Sequence, residues 1–410
     1  MTKDNGQNMI LVVNCGSSSL KCAVLAGKTY DLVLSGLAEC LGTAEARLKF
    51  TIKKGSESDK TSTLALSDTG HNGAVMALLD VLKEHDLFDQ IEAVGHRVVH
   101  GGEKFRASAL ITPEVLREIE ACTPLAPLHN PANLSGIHGA KKFFPDVPHV
   151  AVFDTAFHQT MPESAFLYAI PEQFYQKYGV RRYGFHGTSH RFVAERTVDL
   201  LGLNPKDHGL IVAHLGNGAS ATAIVNGRSV DTTMGMTPLE GLVMGTRAGD
   251  IDVGAVLHMA RSESLDLDGI DRVLNRESGL LGLSGFSNDC RDLEKAAGEG
   301  HEGAKRALTV FVHRLARLIG GLAISLTRLD ALVFTGGIGE NSVFIRRAAV
   351  AHLGILGVTL DLAANERAVR GYEGVISRDR APAVAVVPTN EEWMIAYDTR
   401  NVAHASIGRA

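Results

Sequence analysis

The sequence predicts a two-domain α/β protein that builds one strand-turn-strand device twice. Three observations carry that reading. The chain has 410 residues, more than one ordinary core accommodates and enough for two. Met9-Ile10-Leu11-Val12-Val13 is an apolar run of strand length; it enters the polar stretch Asn14-Cys15-Gly16-Ser17-Ser18-Ser19-Leu20-Lys21 and returns as a second short strand to Leu25. In the second half, Ile211-Val212-Ala213-His214-Leu215-Gly216-Asn217-Gly218-Ala219-Ser220-Ala221-Thr222-Ala223-Ile224-Val225 repeats the layout, with Gly16 and Gly216 at equivalent places. A device made once in each half implies two related domains facing one another across a cleft.

Composition narrows the function classes. The chain is 45% hydrophobic and 21% charged, with 43 glycines spread along it, which is the profile of a globular protein. A net charge of -5 argues against a general nucleic-acid or anionic-membrane surface and leaves room for a local basic pocket holding a small anion. The five cysteines show no metal-ligand spacing, and their odd number favours reduced thiols and a cytoplasmic setting. Met1 to Asn8 lacks the apolar core of a signal peptide, and no stretch approaches the roughly 20 apolar residues of a membrane span.

Each element has a local reason. The turn after Asn14 offers serine hydroxyls, the nearby Lys21 and a glycine whose backbone can take conformations other residues resist, a combination suited to phosphate oxygens. Asp31 to Glu39 and Arg47 to Lys53 read as further strands, and Gly55 to Lys60 as a charged turn. From His71 to His85 the apolar positions Val75, Leu78, Leu79 and Leu82 recur at helical spacing. Ile91 to Val99 is a strand delivering Arg97 near its carboxyl end, where α/β sheets place site residues; the plainer alternative is an ion pair with a carboxylate such as Glu103. A helix starts at Pro113, and a second at Pro131 follows the proline-rich loop that carries His129.

His149 to Phe153 is an apolar strand with Asp154 at its end, placed to orient a reacting group or to cap the next segment. In Tyr183-Gly184-Phe185-His186-Gly187-Thr188-Ser189-His190, His186 lies between two glycines ahead of an amphipathic helix reaching Leu201, where negative charge is favoured. Asn226-Gly227 closes a tight hairpin. Thr232 to Asp252 has too many glycines for a helix and reads as a shaped loop carrying Arg247. Helices follow from Ile251 to Asp330, with Gly303 to Leu329 long and periodic. Ala331 to Phe334 is then a buried strand turning through Thr335 to Asn341 into a helix, and Ala383 to Val387 is a last strand before a terminal helix that Thr389 or Asn390 could cap.

Taken together, these segments resemble the acetate kinases along nearly the whole chain. The resemblance rests on Asn14 to Lys21, Gly95 to Gly102, Ala126 to Asn130, Phe153 to His158, Tyr183 to His190, His214 to Ser220, Met234 to Asp252, Phe334 to Asn341 and Thr389 to Glu392. It implies two duplicated ribonuclease-H-like domains of the actin-like ATPase fold with the active site in the interdomain cleft: residues 1–153 plus 391–410 as the first, its C-terminal helix packed back, and 154–390 as the second, nucleotide-binding domain. It also implies a homodimer.

The activity implied is reversible, Mg-dependent transfer of the ATP γ-phosphoryl group to acetate, giving acetyl phosphate and ADP. By the same resemblance Arg97, Asp154, His186 and Arg247 are catalytic. Asn14 and Glu391 hold Mg²⁺, or Mn²⁺ in its place. Val99, Leu128, His129, Phe185 and Pro238 join Arg97 around the acid. Ser17, Ser19, Lys21, His214, Leu215, Gly216, Asn217 and Gly218 contact ATP phosphates; Asp289, Cys290, Arg291, Gly337, Ile338, Gly339, Glu340 and Asn341 border the nucleoside. Some members carry an aromatic residue where Cys290 stands. The chemistry agrees with these roles: a carboxylate nucleophile is ionised at neutral pH and needs no general base, so the site's task is to bring two anions together, which favours guanidinium groups. The alternatives are a propionate or short-chain carboxylate kinase, and a chaperone-like or regulatory ATPase of the same fold.

Overall fold

The computed structural model describes residues 9–16, 18–53, 59–127, 129–378 and 382–407. Ser17, Leu128 and most of the charged turn after Lys53 lie outside the described residues. Clustering of contacts divides the chain into two compact units. One holds the described residues up to Ala156 together with those from Asn390 on; the other is Phe157–Thr389.

In the first unit the strands are β1 (Met9–Cys15), β2 (Leu20–Ala26), β3 (Asp31–Glu39), β4 (Arg47–Ile52), β5 (Lys60–Ala65), β6 (Ile91–Val98), β7 (Ala109–Leu110) and β8 (His149–Phe153), in the sheet order β5-β4-β3-β2-β1-β6-β8-β7. Strands β1 to β5 form an antiparallel meander, and β1, β6 and β8 run parallel. Strand alternation separates two cores. Leu11 and Val13 share one face with Leu34, Leu48, Leu78 and Leu82, covered by the helices His71–Glu84 and Asn130–Phe143. Ile10 and Val12 face the other way, toward Ile395, Ala396 and Ala403 of the C-terminal helix Glu391–Ile407. That helix lies so close to β6 that a Cβ at Gly95 would stand 2.2 Å from Thr399 Oγ1.

In the second unit β9 (Gly209–Leu215), β10 (Ala219–Val225), β11 (Arg228–Thr232), β12 (Ala331–Thr335), β13 (Gly374–Val375) and β14 (Ala383–Val386) form a sheet in the order β11-β10-β9-β12-β14-β13. Strands β9 to β11 are antiparallel, while β9, β12 and β14 are parallel. The run β11-β10-β9-β12-β14 therefore repeats the run β3-β2-β1-β6-β8 of the first unit: third, second and first as a meander, then a fourth and a fifth parallel to the first. Val193, Ala194 and Val198 of the helix Gly187–Leu201 cover one face, and the helix Glu302–Ala323 packs on β9 and β10.

Three expectations are corrected. The charged turn expected to reach Lys60 gives way there to strand β5, a polar edge with no buried residue, which lacks the apolar alternation that marks a strand. The long helix stops at Ala323 rather than Leu329: Ile324 is 87% exposed, and the Ser325 hydroxyl donates to Asp231 at 3.0 Å. Gly16 and Gly216 do not adopt left-handed backbone; each instead opens a narrow turn, where a Cβ would meet Ser19 Oγ at 3.1 Å or the Gly218 carbonyl at 3.3 Å.

Candidate functional site

The two hairpins are variants of one turn. Cys15 pairs with Leu20, and Gly16 N–H donates to the Ser19 carbonyl at 2.8 Å. Leu215 pairs with Ala219, and Gly216 N–H donates to the Gly218 carbonyl at 3.1 Å. The first turn is one residue longer.

In the first unit, Asn14, Arg97 and Asp154 sit at the carboxyl ends of β1, β6 and β8. Asp154, 2% exposed, follows β8 directly, and its N–H donates to the Val98 carbonyl of β6 at 3.0 Å. Arg97 grips Asp154 with two parallel hydrogen bonds, Nε to Oδ1 at 2.9 Å and Nη2 to Oδ2 at 2.5 Å, while Nη1 donates to Asn14 Oδ1 at 3.3 Å. Glu391, at the start of the C-terminal helix, brings Oε2 to 3.9 Å from Arg97 Nε. Burial opposes the guanidinium charge, but Asp154 and Glu391 more than offset it and raise the Arg97 pKa. The carboxylate partner of Arg97 is thus Asp154 rather than Glu103.

Two asparagines to which the sequence motifs assign no role, Asn133 and Asn130, hold the neighbouring segment. Asn133 accepts from Val99 N–H at 3.0 Å and donates to the Cys15 carbonyl at 2.7 Å, tying the end of β6 to the first hairpin. Asn130 bonds the His100 N–H and carbonyl. Only their position one turn apart, beside His129 at the helix entrance, signals them in the sequence. Val99 is buried.

The second unit gathers histidines around its hairpin. His186 takes a left-handed backbone, with φ 56°, as the residue preceding the helix Gly187–Leu201. Its Nδ1 lies 2.9 Å from Ser220 Oγ, and its ring stacks on His214 with centroids 4.4 Å apart. His214 Nδ1 in turn lies 2.8 Å from Ser189 Oγ, which also meets Thr389 Oγ1 at 2.7 Å. Thr389 is therefore engaged beside the hairpin, and it is Asn390 that caps the C-terminal helix, accepting from Trp393 N–H at 3.0 Å.

The loop after β11 carries Arg247 to the same turn. A Cβ built on Gly218 would stand 3.5 Å from His186 Nε2 and 3.7 Å from Arg247 Nη1, so the two nitrogens border one space over the glycine. Arg247 Nη1 is steadied by the Pro238 carbonyl at 2.9 Å. The loop abuts the hairpin closely: Gly245 N–H donates to the Asn217 carbonyl at 2.9 Å, and a Cβ at Gly245 would fall 2.0 Å from Asn217 Oδ1. Phe185, beside His186, is buried.

The residues expected around the nucleoside have varied surroundings. Gly336 turns β12 into its helix with φ 76°, where a Cβ would strike the Leu215 carbonyl at 2.7 Å, and Gly337 beyond it faces open space. Glu340 folds back to accept from Gly336 N–H at 2.9 Å and Thr389 N–H at 3.2 Å. Asn341 is tied to the Gly337 carbonyl and to Arg370 N–H. Asp289 caps its helix and pairs with the exposed Arg291 at 2.6 Å. Cys290 is turned inward, its thiol 3.4 Å from Glu294; burial first and that carboxylate second raise the thiol pKa. Its side chain does not form a platform for a base.

Among the described residues no group of three or more His, Cys, Asp or Glu side chains converges as a metal cage, and no helix is long and apolar enough to cross a membrane.

Two sheets with the same meander and parallel strands, each carrying a narrow turn beside an arginine, define a duplicated α/β protein of the actin-like ATPase class. The chain belongs to the acetokinase family, a family of ATP-dependent kinases, whose model matches residues 9–397. It is 53% identical over 395 residues to an acetate kinase of Chromobacterium violaceum, covering 96% of this chain and 98% of that one. It is 52% identical over 391 residues to a propionate kinase of Salmonella typhimurium, covering 95% of each. Among solved structures, the acetate kinase of Porphyromonas gingivalis superimposes with a TM-score of 0.90 at 45% identity, over 96% of this chain and 99% of that one.

Proposed function

We propose that the protein is an acetate kinase, which moves the ATP γ-phosphoryl group reversibly to acetate to give acetyl phosphate and ADP. The observation that carries this reading is the space over Gly218, bordered by His186 Nε2 and Arg247 Nη1: two donors aimed at one point suit the equatorial oxygens of a phosphoryl group in transfer. In this reading His214, Leu215, Gly216, Asn217 and Gly218, with Ser17, Ser19 and Lys21, contact phosphates. The segments Asp289 to Arg291 and Gly337 to Asn341 border the nucleoside, Cys290 through its backbone.

Arg97 takes the acetate carboxylate. Asp154 and Asn14 use three of its N–H groups and fix its plane, which leaves two for the substrate. Asp154 positions Arg97 and is not needed as a base. Val99, Leu128, His129, Phe185 and Pro238 then enclose the methyl group.

The oxygens of Asn14, Asp154 and Glu391 around Arg97 are hard donors, and they suit Mg²⁺ bound with most of its shell supplied by water and phosphate oxygens. Asn14 and Glu391 would hold it, and it would neutralise phosphate charge; Mn²⁺ would serve in the same way.

We also propose a homodimer and a cytoplasmic location. The helix Val253–Glu263 has no buried residue, with Val253 69% and Leu257 46% exposed, which supports an apolar subunit contact. All five cysteines are free. A second reading, propionate kinase, is supported by the Salmonella relative, whose identity to this chain nearly equals that of the acetate kinases. The deciding test is hydroxylamine-trapped acyl phosphate formation from Mg-ATP with acetate, propionate and butyrate. Turnover falling with each methylene supports acetate; a maximum at propionate supports the second reading; ATP hydrolysis without acyl phosphate overturns both.

A further inference from the structure

We infer that Ser220 and His190 form an ordered hydrogen-bond chain that fixes His186 in the tautomer carrying its hydrogen on Nε2. The inference deepens the proposed reading, since it concerns how His186 comes to donate toward the phosphoryl position. The Ser220 hydroxyl, fully buried on β10, touches two imidazoles, His186 Nδ1 at 2.9 Å and His190 Nε2 at 2.7 Å. His186 and His190 are four residues apart, on the same side of the helix entrance, so one hydroxyl on the facing strand reaches both.

A hydroxyl has one hydrogen to give, so the direction of the chain is settled at its inner end. His190 is fully buried, and its Nδ1 has no hydrogen-bond partner among the described residues. Burial first, then the neighbouring His158 and His214, keep His190 neutral. A neutral imidazole has one N–H. If that hydrogen were on Nδ1 it would be an orphaned buried donor, an arrangement native structures avoid; on Nε2 it bonds Ser220 Oγ. Among the described residues these two imidazoles are the only hydrogen-bond partners of the buried Ser220 hydroxyl, so its own hydrogen goes to His186 Nδ1, which accepts. In the neutral form of His186 the one hydrogen then lies on Nε2, the atom 3.5 Å from the Cβ position of Gly218. Ser220 and His190 are thus positioning residues, which touch no substrate and act through His186.

The test begins with the unsubstituted protein. Long-range proton-nitrogen NMR of ¹⁵N-histidine-labelled protein without substrate at pH 8, with His186→Gln used to assign the resonances, is expected to show His186 protonated on Nε2 and bare on Nδ1. A hydrogen on Nδ1 overturns the inference whatever the activity, whereas absence of acyl phosphate formation bears on the proposed function and not on the tautomer. Ser220→Ala is expected to give a mixture of tautomers and at least a tenfold lower kcat, with KM for ATP and acetate changing less than threefold. His190→Gln, whose side-chain amide can donate where Nε2 does, should keep kcat within threefold, while His190→Met, of similar length without a donor, should fall with Ser220→Ala. Equal kcat in the two His190 variants, or an unchanged tautomer in Ser220→Ala, also overturns it.

Discussion

Arg97 and Asp154 meet in a two-pronged ion pair across the parallel strands β6 and β8, with the carboxylate 2% and the guanidinium 20% exposed. A fork-to-fork pair fixes the plane of the arginine as well as its charge, so the direction of its remaining N–H groups is set before any substrate arrives.

Asp154→Asn should therefore damage both folding and catalysis. Removing one member of such a buried pair costs about 3 kcal/mol because the other charge is left uncompensated. Urea unfolding should show that loss, and kcat for acetyl phosphate formation should fall roughly 100-fold as Arg97 loses its orientation. Arg97→Met combined with Asp154→Asn should recover part of the stability and none of the activity. If the double variant unfolds at the sum of the single losses, the two residues are not coupled.

Much of this arrangement is legible in the sequence because its motifs are local. Arg97 and His186 each lie in a short segment whose strand, turn and glycine pattern says where the side chain goes, and the repeated hairpin that carries Gly218 shows the duplication. What stayed hidden depends on contacts between distant segments. Asn133 looks like an ordinary helix residue until the fold brings Cys15, 118 positions away, to its amide. Ser220 reads as a strand residue until the helix Gly187–Leu201 lays two histidines against it. Strand β5 had no signal at all, since an exposed polar edge needs none of the alternation that burial imposes.

Selectivity for the acid should respond to Val99. It is buried and its backbone is held by Asn133, so shortening the side chain opens space without releasing the segment. One methylene is worth roughly 1 to 3 kcal/mol in such a pocket, so Val99→Ala should raise the propionate to acetate ratio of kcat/KM about 10-fold. Equal changes for both acids would remove Val99 from the pocket.

Acid stability should follow the buried histidines. Burial pushes the pKa values of His149 and His158 down to about 4 and those of His96 and His190 well below the ordinary value. Each is neutral when folded and takes up a proton on unfolding once pH falls below about 6.5, so the unfolded state binds more protons and stability declines as pH drops from there toward 4. Above pH 6.5 these groups contribute no slope. Within the window each removes about 1.4 kcal/mol per pH unit. Thermal unfolding at pH 7, 6 and 5 should show the decline, and His149→Gln should make it shallower by one proton. A decline of the same steepness in His149→Gln would mean that this histidine is already protonated in the folded protein.

Gly218→Ala separates the chemistry of the second hairpin from its folding. Gly218 has no left-handed backbone to protect, and the added methyl would make only ordinary contacts, 3.5 Å from His186 and 3.7 Å from Arg247. Replacing a glycine at a compatible backbone position leaves stability unchanged or raises it by about 0.5 kcal/mol, because the unfolded chain loses freedom. The same methyl occupies the space that His186 and Arg247 border. If a phosphoryl oxygen must enter that space, kcat/KM for ATP should fall roughly 100-fold, as when a preorganised donor is lost. Thermal unfolding and steady-state kinetics on the same sample decide the matter. A stable variant with impaired ATP kinetics supports the assignment, and a stable variant with unimpaired kinetics moves the phosphoryl position away from Gly218.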